Sequence, residues 1–414
     1  MSSAIRRVLL GNFLSQLGSG LTFALLVVYL GQVRGLGTAV AGFVIAYMAV
    51  ISLLLMPLNG TAADRFGPRP VLMFGLVVNA AGAALLPFVT SELSAFAVAT
   101  VITTGGAFTW GPQSALLGQL TEPEQRQRVF GISFLLLNLG LGLGGVFSAL
   151  IASTDRPDSF TILYLIDAVS YLAYLAVIVP MRGVGVGPVL HDSDEPRPTG
   201  GYGDVIADRL LVRVALLGLV LATCGYGAFQ VALPVFITQI SGQAVSWVAV
   251  AYIVNTLVIV ALQMSVLKRI EGRSRTRLLV VVAAVWGLNW IILGVSGMVT
   301  GPAAIVGACL SAGVFALGEM LWAPIAPALI NDLAPDHLRG RYNSVQGLMW
   351  GVAGSLGPAI TGLLLGTGRV ALWVVAVTAG CLLAGVMAAR LGRHLSPALD
   401  GRVPADRSDG TMPA

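Results

Sequence analysis

The sequence predicts an all-α membrane protein with twelve spanning helices in two pseudo-symmetric six-helix bundles. Three observations carry that prediction: a deficit of charge, apolar stretches of spanning length along the whole chain, and an alternating placement of arginines between them. Of 414 residues, 56% are hydrophobic and 10% charged, whereas a soluble domain carries roughly 25% charged residues. Too little polar surface remains to cover a soluble protein of this size. Glycine, at 51 residues, is well above its usual share of about 7%, as expected where helix backbones touch in lipid.

Apolar stretches long enough to cross roughly 30 Å of hydrocarbon fall at 8–30, 38–59, 70–90, 94–119, 129–153, 159–180, 210–238, 244–267, 278–297, 302–330, 342–365 and 370–390. The first is too long for a signal-peptide core and lacks a small-residue cleavage site, so it is expected to stay in the protein. Twelve spans put both ends on one side. With the N-terminus inside, 21 of the 24 Lys and Arg residues are cytoplasmic, and only Arg34, Arg156 and Arg369 lie on the other face. A miscounted span would scramble this bias, so count and orientation support each other. Multi-pass insertion in the inner membrane with both termini cytoplasmic is the expectation. The isoelectric point of 9.4 is thereby a topology signal, and no nucleic-acid partner is expected.

Cys224, Cys309 and Cys381 lie in apolar segments without a paired spacing, and read as small buried hydrophobes rather than a disulfide framework or metal site. His191, His337 and His394 all fall between or after spans and form no ligand cluster. No nucleophile–base set, phosphate loop or metal spacing is visible, so no enzyme is expected.

Residues 181–209 form the longest connection, rich in Gly, Pro and acids, and read as a flexible linker. It separates a first bundle, 1–180, from a second, 210–390; residues 391–414 are expected to form a disordered cytoplasmic tail. The halves echo each other. Trp110, Pro112, Pro123, Arg126 and Arg128 precede a Gly-rich helix, as do Trp322, Pro324, Pro335, Arg339 and Arg341. Such duplication is a recurrent transporter architecture, with the substrate site between the repeats near mid-membrane.

The connection between spans 2 and 3 reads Gly60-Thr61-Ala62-Ala63-Asp64-Arg65-Phe66-Gly67-Pro68-Arg69. It resembles the G-x-L-x-D-R-x-G-R-R loop of the major facilitator superfamily: Asp64, Arg65, Gly67 and Arg69 match, while Ala62 and Pro68 depart. The chain as a whole is similar to the twelve-span drug:proton antiporter branch. In the loop itself, Gly67 permits a tight turn and Arg65 and Arg69 face the cytoplasm. The Asp64 carboxylate can pair with Arg126 or Arg128, or hold the positive N-terminal end of span 11 near Asn343. Either contact would latch the halves at the cytoplasmic side, so Asp64, Arg65, Gly67, Arg69, Arg126 and Arg128 form the expected gate.

The resemblance implies that spans 1, 4, 7 and 10 surround a cavity. Polar pairs at helical spacing occur on each: Asn12 and Gln16, Trp110 and Gln113, Tyr226 and Gln230, Glu319 and Trp322. Amides and aromatic rings suit a partly apolar organic solute; the alternative for any one amide is a hydrogen bond between helices. Only Asp167 and Glu319 place a carboxylate well inside a span, where insertion costs roughly 2.5 to 3.5 kcal/mol. Both are proton-coupling candidates, Glu319 first because its span lines the cavity. Two departures stand against the antiporter pattern. No Arg occurs in span 4, and Gly145 stands where G-x-x-x-G-P would follow Gly140 and Gly144 with Pro, whereas Gly357-Pro358 lies in span 11. The expected function is proton-coupled efflux of small organic or drug-like molecules by alternating access, with a proton-coupled nutrient or metabolite importer as the alternative. Expected partners are a small-molecule substrate and the lipid bilayer, for a monomer without a bound cofactor and powered by the proton gradient.

Overall fold

The structure, a computed structural model, describes residues 1–22, 25–154, 156–185 and 200–402. Most of the expected linker, including His191, Pro196 and Arg197, and the end of the expected tail from 403 onward lie outside the described residues. Twelve helices are long and apolar enough to span a membrane, and no strand occurs among the described residues. They are α1 (Ser3–Val33, residues 23 and 24 not described), α2 (Thr38–Phe66), α3 (Pro68–Phe88), α4 (Glu92–Leu120), α5 (Pro123–Ile151) and α6 (Pro157–Ile178). The second set is α7 (Arg209–Ile240), α8 (Ser246–Ile270), α9 (Arg275–Ser296), α10 (Pro302–Leu333), α11 (Asp336–Gly366) and α12 (Val370–Leu391). A short helix, Tyr202–Ala207, precedes α7.

Local chemistry sets the helix starts. Proline opens α3, α5, α6 and α10, where its missing N–H costs nothing. Ser91 and Ser94 form a reciprocal cap on α4, and the Asp208 carboxylate accepts from the Leu210 and Leu211 N–H groups at α7. Gly67, at φ +91°, makes the turn between α2 and α3 that an L side chain would strain.

Apolar side chains such as Phe43, Leu150, Leu257 and Leu363 stand exposed on the helix faces, as a lipid-facing perimeter requires. Within the first bundle α1 packs on α5 and α6, and α3 on α4 and α6; within the second, α9 packs on α10 and α12. Close backbone approaches recur at equivalent places. A Cβ on Gly144 of α5 would lie 2.3 Å from the Leu17 carbonyl of α1, and one on Gly357 of α11 would lie 2.5 Å from Gly227 Cα of α7. The repeat also shows in α1 and α7, which both end in a wide π-type turn, Tyr29–Val33 and Phe236–Ile240.

The two bundles meet along α2–α11, α5–α8 and α5–α10. Gly340, Gly347 and Gly351 of α11 lie against Ala63, Met56 and Leu53 of α2, but nothing approaches within 4 Å of the next position on that face, Gly354. On α5, Gly131 meets Leu267 and Gly142 meets Thr256, while Gly145 meets nothing. The halves are therefore joined from the arginine-rich end to mid-height on α11 and somewhat beyond it on α5, and part above, leaving a cleft that opens at the other end. One expectation is corrected. Residues 392–402 do not trail away as a disordered tail; they turn back over the start of α9, where Asp400 is 1% exposed.

Candidate functional site

Two regions hold the polar chemistry: a seam at the arginine-rich end and the base of the cleft above it.

At the seam, Asp64 sits in the last turn of α2 and reaches across to the start of α11. Its carboxylate accepts from the Gly340 N–H (2.5 Å), the Arg341 N–H (3.2 Å) and Arg341 Nη1 (2.9 Å). These are free amides of a helix N-terminus, so one carboxylate satisfies orphan donors, helix dipole and guanidinium together. Of the two partners open to Asp64 from sequence, it is the α11 terminus that the structure provides; the pairing with Arg126 or Arg128 is not formed. Arg126 instead bridges to Asp332 at the end of α10, which also accepts from Arg275 Nη1 at 2.5 Å. Both guanidiniums and the carboxylate are nearly buried. Arg126 further donates to the Gly118, Thr121 and Asn331 carbonyls.

The seam is completed by amides and hydroxyls. Asn331 and Asn343 exchange hydrogen bonds, and Asn331 reaches Ser114 of α4 at 3.4 Å. Ser344 donates to the Met56 carbonyl, and the Tyr202 hydroxyl to that of Pro57. The remaining expected gate residues do not cross. Arg69 donates to the Ile178 and Val179 carbonyls within its own bundle, while Arg65 and Arg128 are exposed. Asp332, Arg275 and Tyr202 went unread as seam residues; for the first two the only signal was an acid or base at a span end, which topology alone explains, and Tyr202, in the short helix before α7, carried none.

In the cleft, the expected lining divides. Trp110 is 55% exposed, one helical turn above Ser114 and on the same face, so it stands over the closed seam. Gln230 is exposed, and Gln16 and Tyr226 are half-buried. Asn12 and Gln113 are not wall residues. Gln113 Nε2 donates to Asn12 Oδ1 (3.1 Å), Tyr174 donates to Gln113 Oε1 (2.9 Å), and Asn12 donates to Ser133 Oγ (3.2 Å). That network ties α1, α4, α5 and α6 together, the interhelical role open to such amides. Trp322 is also buried, in an aromatic cluster with Trp286, Phe315 and Phe229.

Glu319 is 7% exposed in α10, and its Oε2 accepts from Asn255 Nδ2 of α8 at 2.6 Å. The Tyr226 hydroxyl lies within hydrogen-bonding reach of it. Asn255 was missed, although an amide in an otherwise apolar span was its visible signal. Asp167, 5% exposed in α6, accepts from Thr22 of α1 at 2.8 Å and from Ser170. Neither carboxylate has an ion-pair partner among the described residues. No His, Cys, Asp or Glu group among those residues is arranged to hold a metal ion.

Comparison with known proteins agrees with this geometry. The chain is similar to the uncharacterized MFS-type transporter YqjV of Bacillus subtilis, 23% identical over 92% of this chain and 91% of that one. It is similar to the multidrug resistance protein MdtH of Aeromonas salmonicida, 26% identical over 78% of each. Among solved structures, a bacterial homologue of the iron transporter ferroportin in an outward-facing state superposes with TM-score 0.77, at 16% identity, over 95% of this chain and 100% of that chain. The proton:xylose symporter XylE does so with TM-score 0.73, at 16% identity, over 95% of each. At such identities the structures speak for the fold alone. The profile of the Major Facilitator Superfamily matches residues 8–358, and the chain is a multi-pass membrane transporter of that family.

Proposed function

We propose that the protein is a proton-coupled exporter of small organic, drug-like molecules, working by alternating access as a monomer in the inner membrane with both termini cytoplasmic. The observation that carries the reading is Glu319. It is a buried carboxyl at mid-span, partnered by a neutral amide and the Tyr226 hydroxyl, with no ion-pair partner among the described residues. An unpaired charge in such a place is costly unless water, a proton or a cationic cargo reaches it. Tyr226 connects it to the cleft. Protonation and cargo can thus compete for one wall, which is what exchange of one for the other requires. The seam of Asp64 with α11, and of Arg126 with Asp332, is the cytoplasmic gate: it must break for cargo to enter from inside.

The similarity to MdtH proteins, named for multidrug resistance, supports drug-like cargo. The test is accumulation of cationic and neutral dyes in everted vesicles under an imposed proton gradient. Gradient-driven accumulation is expected for the native protein and loss of it for Glu319→Gln. Native-level, gradient-driven accumulation by Glu319→Gln would refute coupling through this carboxyl.

A further inference from the structure

We propose that the C-terminal segment 392–402 is a strap that positions Arg275, and through it Asp332, so that the arginine-rich end can open without stranding a buried carboxylate. This rests on reading that end as the gate.

Beyond α12 the chain folds back on the N-terminus of α9. Asp400 accepts from Ser274 Oγ (2.6 Å), the Thr276 N–H (2.8 Å), Thr276 Oγ1 (2.9 Å) and Arg402 Nε (2.5 Å). The fold-back needs Gly401, at φ +76°, and buries Leu395. Its effect is to fasten Arg275 twice. The Arg275 N–H donates to the Asp400 carbonyl at 2.8 Å, and its Nη1 donates to the Leu399 carbonyl at 3.1 Å. The same Nη1 holds Asp332 Oδ2 at 2.5 Å.

Asp332 therefore has one guanidinium from each bundle. When the bundles part, Arg126 leaves with α5, while Arg275 stays with α10 because both belong to the second bundle. A nearly buried carboxylate that lost its sole partner would resist the separation strongly. Arg275, already ordered by the strap, keeps Asp332 paired and has no further side-chain entropy to lose. The strap thus lowers the barrier to opening. Loosening it should act in the opposite direction to removing Arg126, which a merely structural tail would not do.

The test places a reporter at Ser114→Cys, in the seam against Asn331, with Cys224, Cys309 and Cys381 replaced by Ala. A membrane-impermeant maleimide is added to everted vesicles and the alkylation rate is followed. Asp400→Ala is expected to slow alkylation roughly three- to tenfold, the factor carried by one intramolecular hydrogen bond, and Arg126→Ala to speed it. In an Arg275→Ala background, Asp400→Ala should add nothing. An unchanged or faster rate in Asp400→Ala, or independent slowing without Arg275, overturns the strap. An unchanged rate in Arg126→Ala overturns the gate reading instead. Should Asp400→Ala fail to fold, Asp400→Asn, which keeps an acceptor for Thr276, decides on the same criteria with a smaller slowing expected.

Discussion

Replacing Asp64 by Ala removes three hydrogen bonds that hold the end of α2 to the start of α11. Two go to backbone amides and one to a guanidinium, and the carboxylate side chain is only 5% exposed. Hydrogen bonds to a charged group are worth about 1.5 to 3 kcal/mol each when removed singly, and breaking a buried pair costs about 3 to 5. The three share one carboxylate, and water reaches Gly340 and Arg341 once the seam opens, so the sum must be discounted. A shift of about 2 to 4 kcal/mol toward the open gate is the working magnitude, or roughly thirty- to a thousandfold in the equilibrium. Spin labels on Gln125 and His337, exposed residues at the starts of α5 and α11, report the separation of the bundles. The native protein should give one short distance, and Asp64→Ala a dominant longer one with reduced transport. Arg128→Ala, exposed and away from the seam, should resemble the native protein. A native distance distribution in Asp64→Ala would mean that the remaining contacts hold the gate by themselves.

Gly357→Ala would drive a methyl into the Gly227 backbone at 2.5 Å, and should cost about 1 to 3 kcal/mol, read as a lower Tm in detergent. Gly354→Ala, with open space around it in a helix interior, should hold Tm or raise it. Burial acts to raise the Asp400 carboxyl, but the hydrogen bonds from Ser274, Thr276 and Arg402 outweigh it, so its pKa lies below the ordinary 3.8. Its contribution is present in full above 3.8 and is lost as pH falls through the depressed value. A spin label at exposed Ala398→Cys should accordingly stay immobile to about that pH, then loosen, and be loose throughout in Asp400→Ala. Asp167→Asn should retain gradient-driven transport in everted vesicles, because the amide can still accept from Thr22, and lose at most about 1 kcal/mol of stability.

The fold was legible because lipid leaves few choices: apolar length sets the spans and arginine placement sets their alternation. The site was legible in part. The Asp64 loop announced a contact across the bundles, but left two partners open, and the helix terminus at α11 is the one the structure provides. Arg126 did not announce Asp332, which lies 206 residues away, because nothing local encodes which charges meet. Helical spacing placed Asn12 and Gln113 on one face of their helices, yet it carries no information about whether that face meets water or another helix. Here it meets α5 and α6. Trp322 failed for the same reason, being absorbed by aromatic neighbours from α7 and α9 that its own span cannot reveal.

Helix spacing likewise treats Asp167 and Glu319 alike, and the packing separates them. Asp167 lies between α6 and α1, helices of one bundle, and both of its hydrogen bonds are made there. The proposed exchange does not use it. Glu319 also has its amide partner within its own bundle, but Tyr226 beside it is half-buried at the cleft and packs on Trp350 of α11. Under the proposed exchange, the cleft face of Tyr226 is where water or cargo would reach the carboxyl. A coupling residue must feel the conformational change as a change in solvation, and of the two carboxyls inside the spans Glu319 is the one joined to the cleft through Tyr226, on which the proposed exchange rests.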